Sequence, residues 1–438
     1  MPAIITKEFR LLNAKQFQED FGESNQHYYL ALGRPQAFAD NQAFNDGTDT
    51  SPPTPNDDVG SEFYVYDDLL AAQKIASTDV SLVVPRRDWT TGTVYDYYRH
   101  DYGNINSAGS TISSDSGAAS TTEPTGNKSN SVFSTADGYK WKYMYSLSAS
   151  EQTNFLSSDF MHVSTESTDY STTAGAIEHV KITAAGSGGT NGTYTNVAIR
   201  GDGSSGTATV VVSGNAVTSV TITAAGSGYT FASILAGDIG SVSGADIDFI
   251  ISPSGGHATD VEKELGAFFV MVNQDIVQNA GSGDFTVGND FRRIALIKNP
   301  TSSSSLATAS TLDATKSITF SGTPGSFQAD EKITQTTTGA VGFVVDFNSS
   351  TKVLRYIQPQ FANQGVDSNS NLTAFSGTAT VTGGTSGATG TPTSHDTTPE
   401  LDAKTSSVTS GDILYVENRK PITRASDQTE NIKLIVEF

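Results

Sequence analysis

Across most of this chain, β-branched residues come in short runs that end at Gly, Ser, Asn or Thr, and this punctuation constrains the fold before anything else does. TATVVVSGNAVTSVTIT at 207–223 shows it: two alternating runs flank Gly214-Asn215, a hairpin pair. Gly supplies 41 of 438 residues, and only 36% of residues are apolar. Runs interrupted this often disfavour a large helical or α/β enzyme and predict a mainly β fold with many turns. The length suggests roughly two to four domains.

Charge and chemistry narrow the class. Lys plus Arg number 26 against 47 Asp plus Glu, a formal net charge of −21. That surface repels phosphate backbones and anionic membranes, so neither nucleic acid nor membrane insertion is expected. There is no Cys, which excludes disulfides, thiolate zinc sites and a Cys nucleophile. Lys7, Glu8 and Arg10 interrupt the apolar N-terminal run, so no signal peptide is expected. No stretch reaches the ~18 apolar residues of a membrane span.

Two styles of sequence alternate and divide the chain into five segments. Residues 1–173 and 256–304 are rich in aromatic and large apolar residues, and 404–438 returns to the same style. Residues 174–255 and 305–403 are Gly/Ser/Thr-rich. The first of these repeats ITAAGSG at 182–188 and 222–228, 40 residues apart. Two copies without a Trp-Asp signature do not make a propeller. The expected architecture is one discontinuous β-sandwich body, with short helices in side loops, carrying two β insertions at surface loops, where extra length is tolerated. Expected helices are Ala14–Phe21, Tyr66–Ser77 (Leu69, Ala72, Ile75 and Ala76 on one face) and Ser148–Leu156, with Ser148 as cap and Glu151 three residues on. Expected strands are Tyr28–Leu32, Val80–Val84 and Lys140–Tyr145. Clustered prolines make 51–58 a rigid loop. The alternation of Ile432, Leu434, Val436 and Phe438 predicts a terminal strand with one buried face.

Candidate chemistry is sparse. The histidines form no spaced metal pair. GGHATD at 255–260 reads as a solvated loop, and Ser394-His395-Asp396 cannot face one another as a catalytic triad does. Asp57-Asp58 and Asp67-Asp68 read as turn and helix-start acids. Arg200-Gly201-Asp202 is a chance adhesion-like tripeptide, and GDGSSG at 201–206 lacks the Lys and helix of a phosphate loop. No catalytic, metal or cofactor residue is expected.

Four segments carry a resemblance: SLVVPRRDW (81–89), ADGYKWKYMY (136–145), FRRIALIKNP (291–300) and GDILYVENRKPITRASDQTENIKLIVEF (411–438). Together with ITKEFR, YYLALGRPQAF and PPTPNDD in the same order, they resemble the baseplate wedge protein of T-even-type contractile-tailed phages, the gene product 8 family. The resemblance covers the three core-like segments and leaves the two insertions unaccounted for. It implies a non-enzymatic virion subunit, paired with itself and held against other wedge proteins, in a tail baseplate that rearranges to release sheath contraction. It also implies assembly in the host cytoplasm. The motif residues Pro85, Arg86, Arg87, Asp88, Trp89, Tyr139, Trp141, Glu417, Asn418, Arg419, Pro421, Asp427 and Gln428 are then structural or interface candidates. Strand alternation would put Arg86 and Asp88 on one face and Arg87 beside Trp89 on the other. Glu417 and Arg419 would share a face, with Pro421 at a strand end. The rival readings are a receptor-binding or fibre-attachment module and a tail-associated glycan hydrolase.

Overall fold

The structure is a computed structural model and describes residues 5–38, 47–57, 59–95, 118–125, 131–163, 172–276, 288–359, 366, 371–403, 410–423 and 430–438. It is mainly β, built from several antiparallel sheets. The chain divides into two compact units. The first comprises Met1–Phe17, Ser81–Met271 and Ile435–Phe438; the second comprises Gln18–Val80 and Val272–Leu434.

The second unit contains a five-stranded antiparallel sheet in the order Thr311–Asp313, Leu69–Lys74, Tyr28–Gly33, Asp290–Lys298, Asp412–Thr423. Every residue of YYLALG at 28–33 is buried, as suits a central strand covered on both faces. Ala31 sits opposite Ala72 on one side and Ala295 on the other, and Tyr29, Ile297, Leu312 and Leu401 complete the core.

This sheet overturns the helix expected at Tyr66–Ser77. The helix is Val59–Asp67, and LLAAQK at 69–74 is a strand between two neighbours. Its first four residues are all buried. An apolar run buried on both faces fits a helical period and a strand equally well, and here strand pairing decides. The sheet also moves a boundary, because Thr311–Asp313 lies inside the 305–403 segment yet pairs with the core strand.

Residues 316–396 form their own sheet, ordered Thr389–Gly390, Val381–Gly383, Lys332–Gln335, Ala340–Asn348, Val353–Ile357, Lys316–Phe320, Pro392–Asp396. The two end strands are separated only by Thr391, so the chain joins the sheet's edges and closes a small barrel. Phe320, Phe327, Ile333, Val344, Leu354, Tyr356 and Phe375 fill it. A side chain at Gly390 would meet the Phe320 ring at 2.6 Å, so the wall passes close to the core there.

In the first unit, Ala149–Phe155 is a helix with the expected cap. Ser148 N–H donates to Glu151 Oε2 at 2.6 Å and Glu151 N–H to Ser148 Oγ at 3.3 Å. The Val80–Pro85 strand pairs through residues 83–85 with Phe160–His162, and Val83, Phe155 and Met271 pack with Phe160, Phe269 and Ile435. The strand expected over Lys140–Tyr145 shortens to Lys140–Trp141. The first helix begins earlier than expected, at Lys7, and ends at Asp20. The terminal strand forms, but without the single buried face: Leu434 is buried while Ile435, in the opposite phase, packs on Met271 and its neighbours. Phe438 instead meets Phe17, ring centroids 5.3 Å apart.

Residues 177–251 hold long antiparallel ladders, Ile177–Ser187 with Ser243–Ile251 and Ser204–Ser213 with Ala216–Ser227. Gly214 and Asn215 both take positive φ (61° and 66°), as a two-residue hairpin turn requires.

Candidate functional site

Two polar clusters stand out, one in each unit. In the five-stranded sheet, adjacent residues of the Asp290–Lys298 strand point to opposite faces, so Arg292 and Arg293 serve different partners. Arg293 Nη1 reaches both oxygens of Asp68 at 2.7 and 2.9 Å and the Tyr64 carbonyl at 3.1 Å, while its Nε donates to Asn418 Oδ1 at 3.1 Å. Asn418 in turn donates to the Pro53 carbonyl at 3.0 Å. Arg34, in the left-handed region at φ 60°, brings Nη1 to 3.6 Å from Asp68 and donates from Nη2 to the Ala37 carbonyl at 3.0 Å. Asp68 is fully buried, and that burial pushes its carboxyl up against the pull of Arg293 and Arg34.

On the other face, Arg292 grips Asp49 with two bonds, 3.0 and 2.9 Å, and reaches Asp290 at 2.9 Å. Burial works to raise the Asp49 carboxyl, but Arg292 and the Phe38 amide outweigh it and hold it below the ordinary range. Arginine suits such forked contacts because its guanidinium is planar. The network ties the segments near 34–38 and 49–53 and the end of the Val59–Asp67 helix to two strands. Of its members, the sequence reading singles out Asn418 as a motif candidate and Asp68 as a helix-start acid. The rest became visible only once distant segments were brought together.

In the first unit, Asp137 accepts from Thr121 N–H at 2.7 Å, Thr122 N–H at 2.9 Å and Ser120 Oγ at 2.9 Å, and also from the Thr135 hydroxyl. The Thr135 hydroxyl, then those amides and Ser120, hold its carboxyl below the ordinary range. Trp89 Nε1 donates to the same Ser120 at 3.0 Å. Buried Tyr139 donates to the Ala118 carbonyl at 2.5 Å and stacks on Trp141, centroids 5.9 Å apart. Tyr95 meets Trp141 edge-on at 5.5 Å. Trp89, Tyr139 and Trp141 therefore share one polar-aromatic cluster organised by Asp137.

The PRRDW motif does not alternate as a strand, because the strand ends at Pro85. Arg86 still pairs with Asp88 at 2.8 Å and donates to the Ser157 carbonyl at 3.0 Å. Trp89 turns to Ser120. Glu417 and Arg419 pair at 3.3 Å on one strand. Pro421 lies within that strand, not at its end: the pairing register shifts between Phe291/Arg293, where Ile422 and Asn418 are the partners, so Pro421 falls at the irregularity. Asp427 and Gln428 lie outside the described residues.

The remaining candidates take structural positions. Asp202 accepts from Thr230 N–H at 2.8 Å, Thr230 Oγ1 at 2.5 Å and Phe231 N–H at 3.3 Å, and Arg200 pairs with Asp238 at 3.0 Å. His257, expected in a solvated loop, is buried against Glu264 and donates its backbone N–H to Thr172 Oγ1 at 2.8 Å. His395 Nε2 lies 2.8 Å from the Gly377 carbonyl. A Ser–His–Glu chain missed in the sequence does form: Ser81 Oγ is 2.5 Å from His162 Nδ1, and His162 Nε2 is 3.1 Å from Glu151 Oε1. Ser81, however, is 3% exposed within a strand and also bonds the Leu82 carbonyl. A nucleophile must reach its substrate, and this hydroxyl is closed in. Among the described residues, no group of three or more His, Asp or Glu could hold a metal ion, and no helix is long and apolar enough to cross a membrane.

Residues 3–120 match the family model described as Bacteriophage T4, Gp8. The N-terminal part of the chain therefore carries the sequence pattern of that family; the match includes SLVVPRRDW and stops short of the other three segments of the resemblance. No curated protein matches the chain.

Proposed function

We propose that this chain, with the Gp8 pattern over residues 3–120, is a structural subunit of a phage tail baseplate wedge. That match carries the reading. The site chemistry agrees with it, since the polar clusters bind protein loops together and close over their own donors and acceptors. In this role the chain pairs with itself, holds other wedge proteins together, and takes part in the rearrangement that releases sheath contraction. Its three core-like segments build a β-sandwich body, and 174–255 and 305–403 are insertions that decorate the particle. The self-contained cores of 177–251 and 316–396 support that division. The subunit is made in the host cytoplasm and resides in the virion tail.

Co-expression with the other wedge proteins of the same phage, followed by sedimentation, tests this. The chain is expected to travel with the wedge complex. A folded chain that sediments alone, while the others assemble without it, would overturn the reading.

A further inference from the structure

The ITAAGSG repeat marks a duplication far longer than seven residues. Ile182 of the first copy pairs with Ile247, and Ile222 of the second pairs with Ala208. Moving the first-strand residue by 222 − 182 = 40 and its partner by 247 − 208 = 39 converts one ladder into the other. The same shifts carry Ser187↔Ser243 onto Ser227↔Ser204, Ala184↔Asp246 onto Ala224↔Thr207, and Ile177↔Ile251 onto Val217↔Val212. Even the register irregularities coincide: Asp246/Ile247 matches Thr207/Ala208, and Ile250/Ile251 matches Val211/Val212. Irregularities of this kind are local and specific, so two at matching positions mark a shared template.

The pairing is reciprocal. The first strand of each half lies against the last strand of the other, so the two halves meet across a pseudo-twofold axis, as two copies do in an isologous dimer. The Gly214-Asn215 turn closes one ladder, at Ser213↔Ala216. The ladder ending at Ile177↔Ile251 occupies the equivalent place, where the chain enters and leaves the module.

One pair of equivalent contacts breaks the symmetry by exchanging bulk. A side chain at Gly189 would meet Val242 Cγ2 at 2.2 Å. The equivalent positions are Tyr229 and Gly203, where a side chain at Gly203 would meet the Tyr229 ring at 2.4 Å. At one contact the second half supplies Val to a glycine; at the other it supplies Tyr. Such large-to-small complementarity makes the halves fit in one arrangement.

We infer that the two halves are copies of one self-recognising unit, and that either half accepts the opposite half of a second copy of this chain. The surface is the reciprocal strand pairing of 177–213 with 216–251, and the partner is the same module of another subunit. This inference stands independently of the baseplate reading.

The test uses two full-length variants. Gly189→Ala collides with Val242 from the first half, and Val242→Ala leaves a gap in the second. In each alone, amide protection at 182–187 and 208–212 is expected to fall by roughly tenfold or more. Joined in one chain, G189A and V242A should restore protection; if they do not, the assigned packing and the inference fail together. Co-expressed on separate chains, they should restore protection in a 1:1 complex, because the altered halves then meet each other and the native halves meet each other. A mixture that shows only the sum of two weakened modules would overturn exchange. Restored protection is the readout, so pairing of the chains through any other surface does not mimic it.

Discussion

The two Gly/Ser/Thr-rich regions are alike in composition and unlike in construction. Residues 177–251 bury Val, Ile and a single tyrosine in two small clusters and manage their strands by reciprocal pairing of two halves. Residues 316–396 bury Phe320, Phe327, Tyr356 and Phe375 in one cluster and join the sheet's ends into a barrel. Where core residues are small, glycines let strands approach and bulk is placed one contact at a time. Where they are aromatic, one continuous core holds the whole wall. Composition reports the turns; the sizes of the inward residues decide how the sheet is finished.

If the barrel has one cooperative core, a single large deletion should open all of it. Phe320 stacks on Phe327, centroids 5.3 Å apart. Phe320→Ala should cost about 3–5 kcal/mol. Hydrogen exchange should then rise together in strands as distant as Lys332–Gln335 and Pro392–Asp396, while 177–251 keeps its protection. Exchange confined to the neighbours of Phe320 would break the contrast.

The five-stranded sheet provides a reference in which charge, not bulk, is the vulnerable element. Asp68→Ala leaves buried Arg34 and half-buried Arg293 against no carboxylate, a loss of about 3–5 kcal/mol. Removing a partner from a buried pair is costly even where the intact pair adds little. Denaturant unfolding of the full chain checks this, and a loss within ~0.5 kcal/mol would show the network to be dispensable.

The barrel should also respond to pH where it meets the Asp290–Lys298 strand. Burial pushes the Asp330 carboxyl up to about 6, despite donation from Asn289 Nδ2 at 3.1 Å and the Asp290 amide at 3.3 Å. A carboxyl whose folded value exceeds its unfolded one favours folding when protonated. Its contribution therefore grows as pH falls from about 6 toward the unfolded value of 3.8, by roughly 2–3 kcal/mol. Asp330→Asn should flatten that slope, and asparagine tolerates the positive φ of 63° found there. An unchanged slope in the variant would assign the titration elsewhere.

The smallest expected effect sharpens the other half of the comparison. Tyr229 accepts the Gly206 N–H and donates to the Ile199 carbonyl, both at 3.1 Å. Tyr229→Phe keeps the ring over Gly203 and strands two buried backbone groups, at a cost of about 1–3 kcal/mol. Melting of the module checks it; a loss as large as that of Phe320→Ala would mean that the hydroxyl, and not the ring, organises the half-to-half contact.

Much of this was legible from local signals. The Ser148/Glu151 capping box, the Gly214-Asn215 hairpin, the Tyr28 and Val80 strands and the mainly β class all follow from residues that interact with near neighbours. LLAAQK was misread because its apolar run satisfies both periods, and the deciding partners, Tyr28–Gly33 and Thr311–Asp313, lie elsewhere in the chain. The ion-pair network escaped for the same reason: Arg293 and Asp68 are 225 residues apart. The seven-residue repeat was visible, but its true length was hidden. Beyond ITAAGSG the halves share register and size pattern more than residue identity.

The central functional claim is that this chain is a structural part of a tail baseplate. A density map of the intact tail of the phage that encodes it tests that claim most directly. The account predicts the five-stranded sheet within the baseplate ring, with other wedge proteins packed against the chain, and the barrel decorating its outside. Density for the chain at fibre tips alone, or no density for it in the tail, would contradict the account.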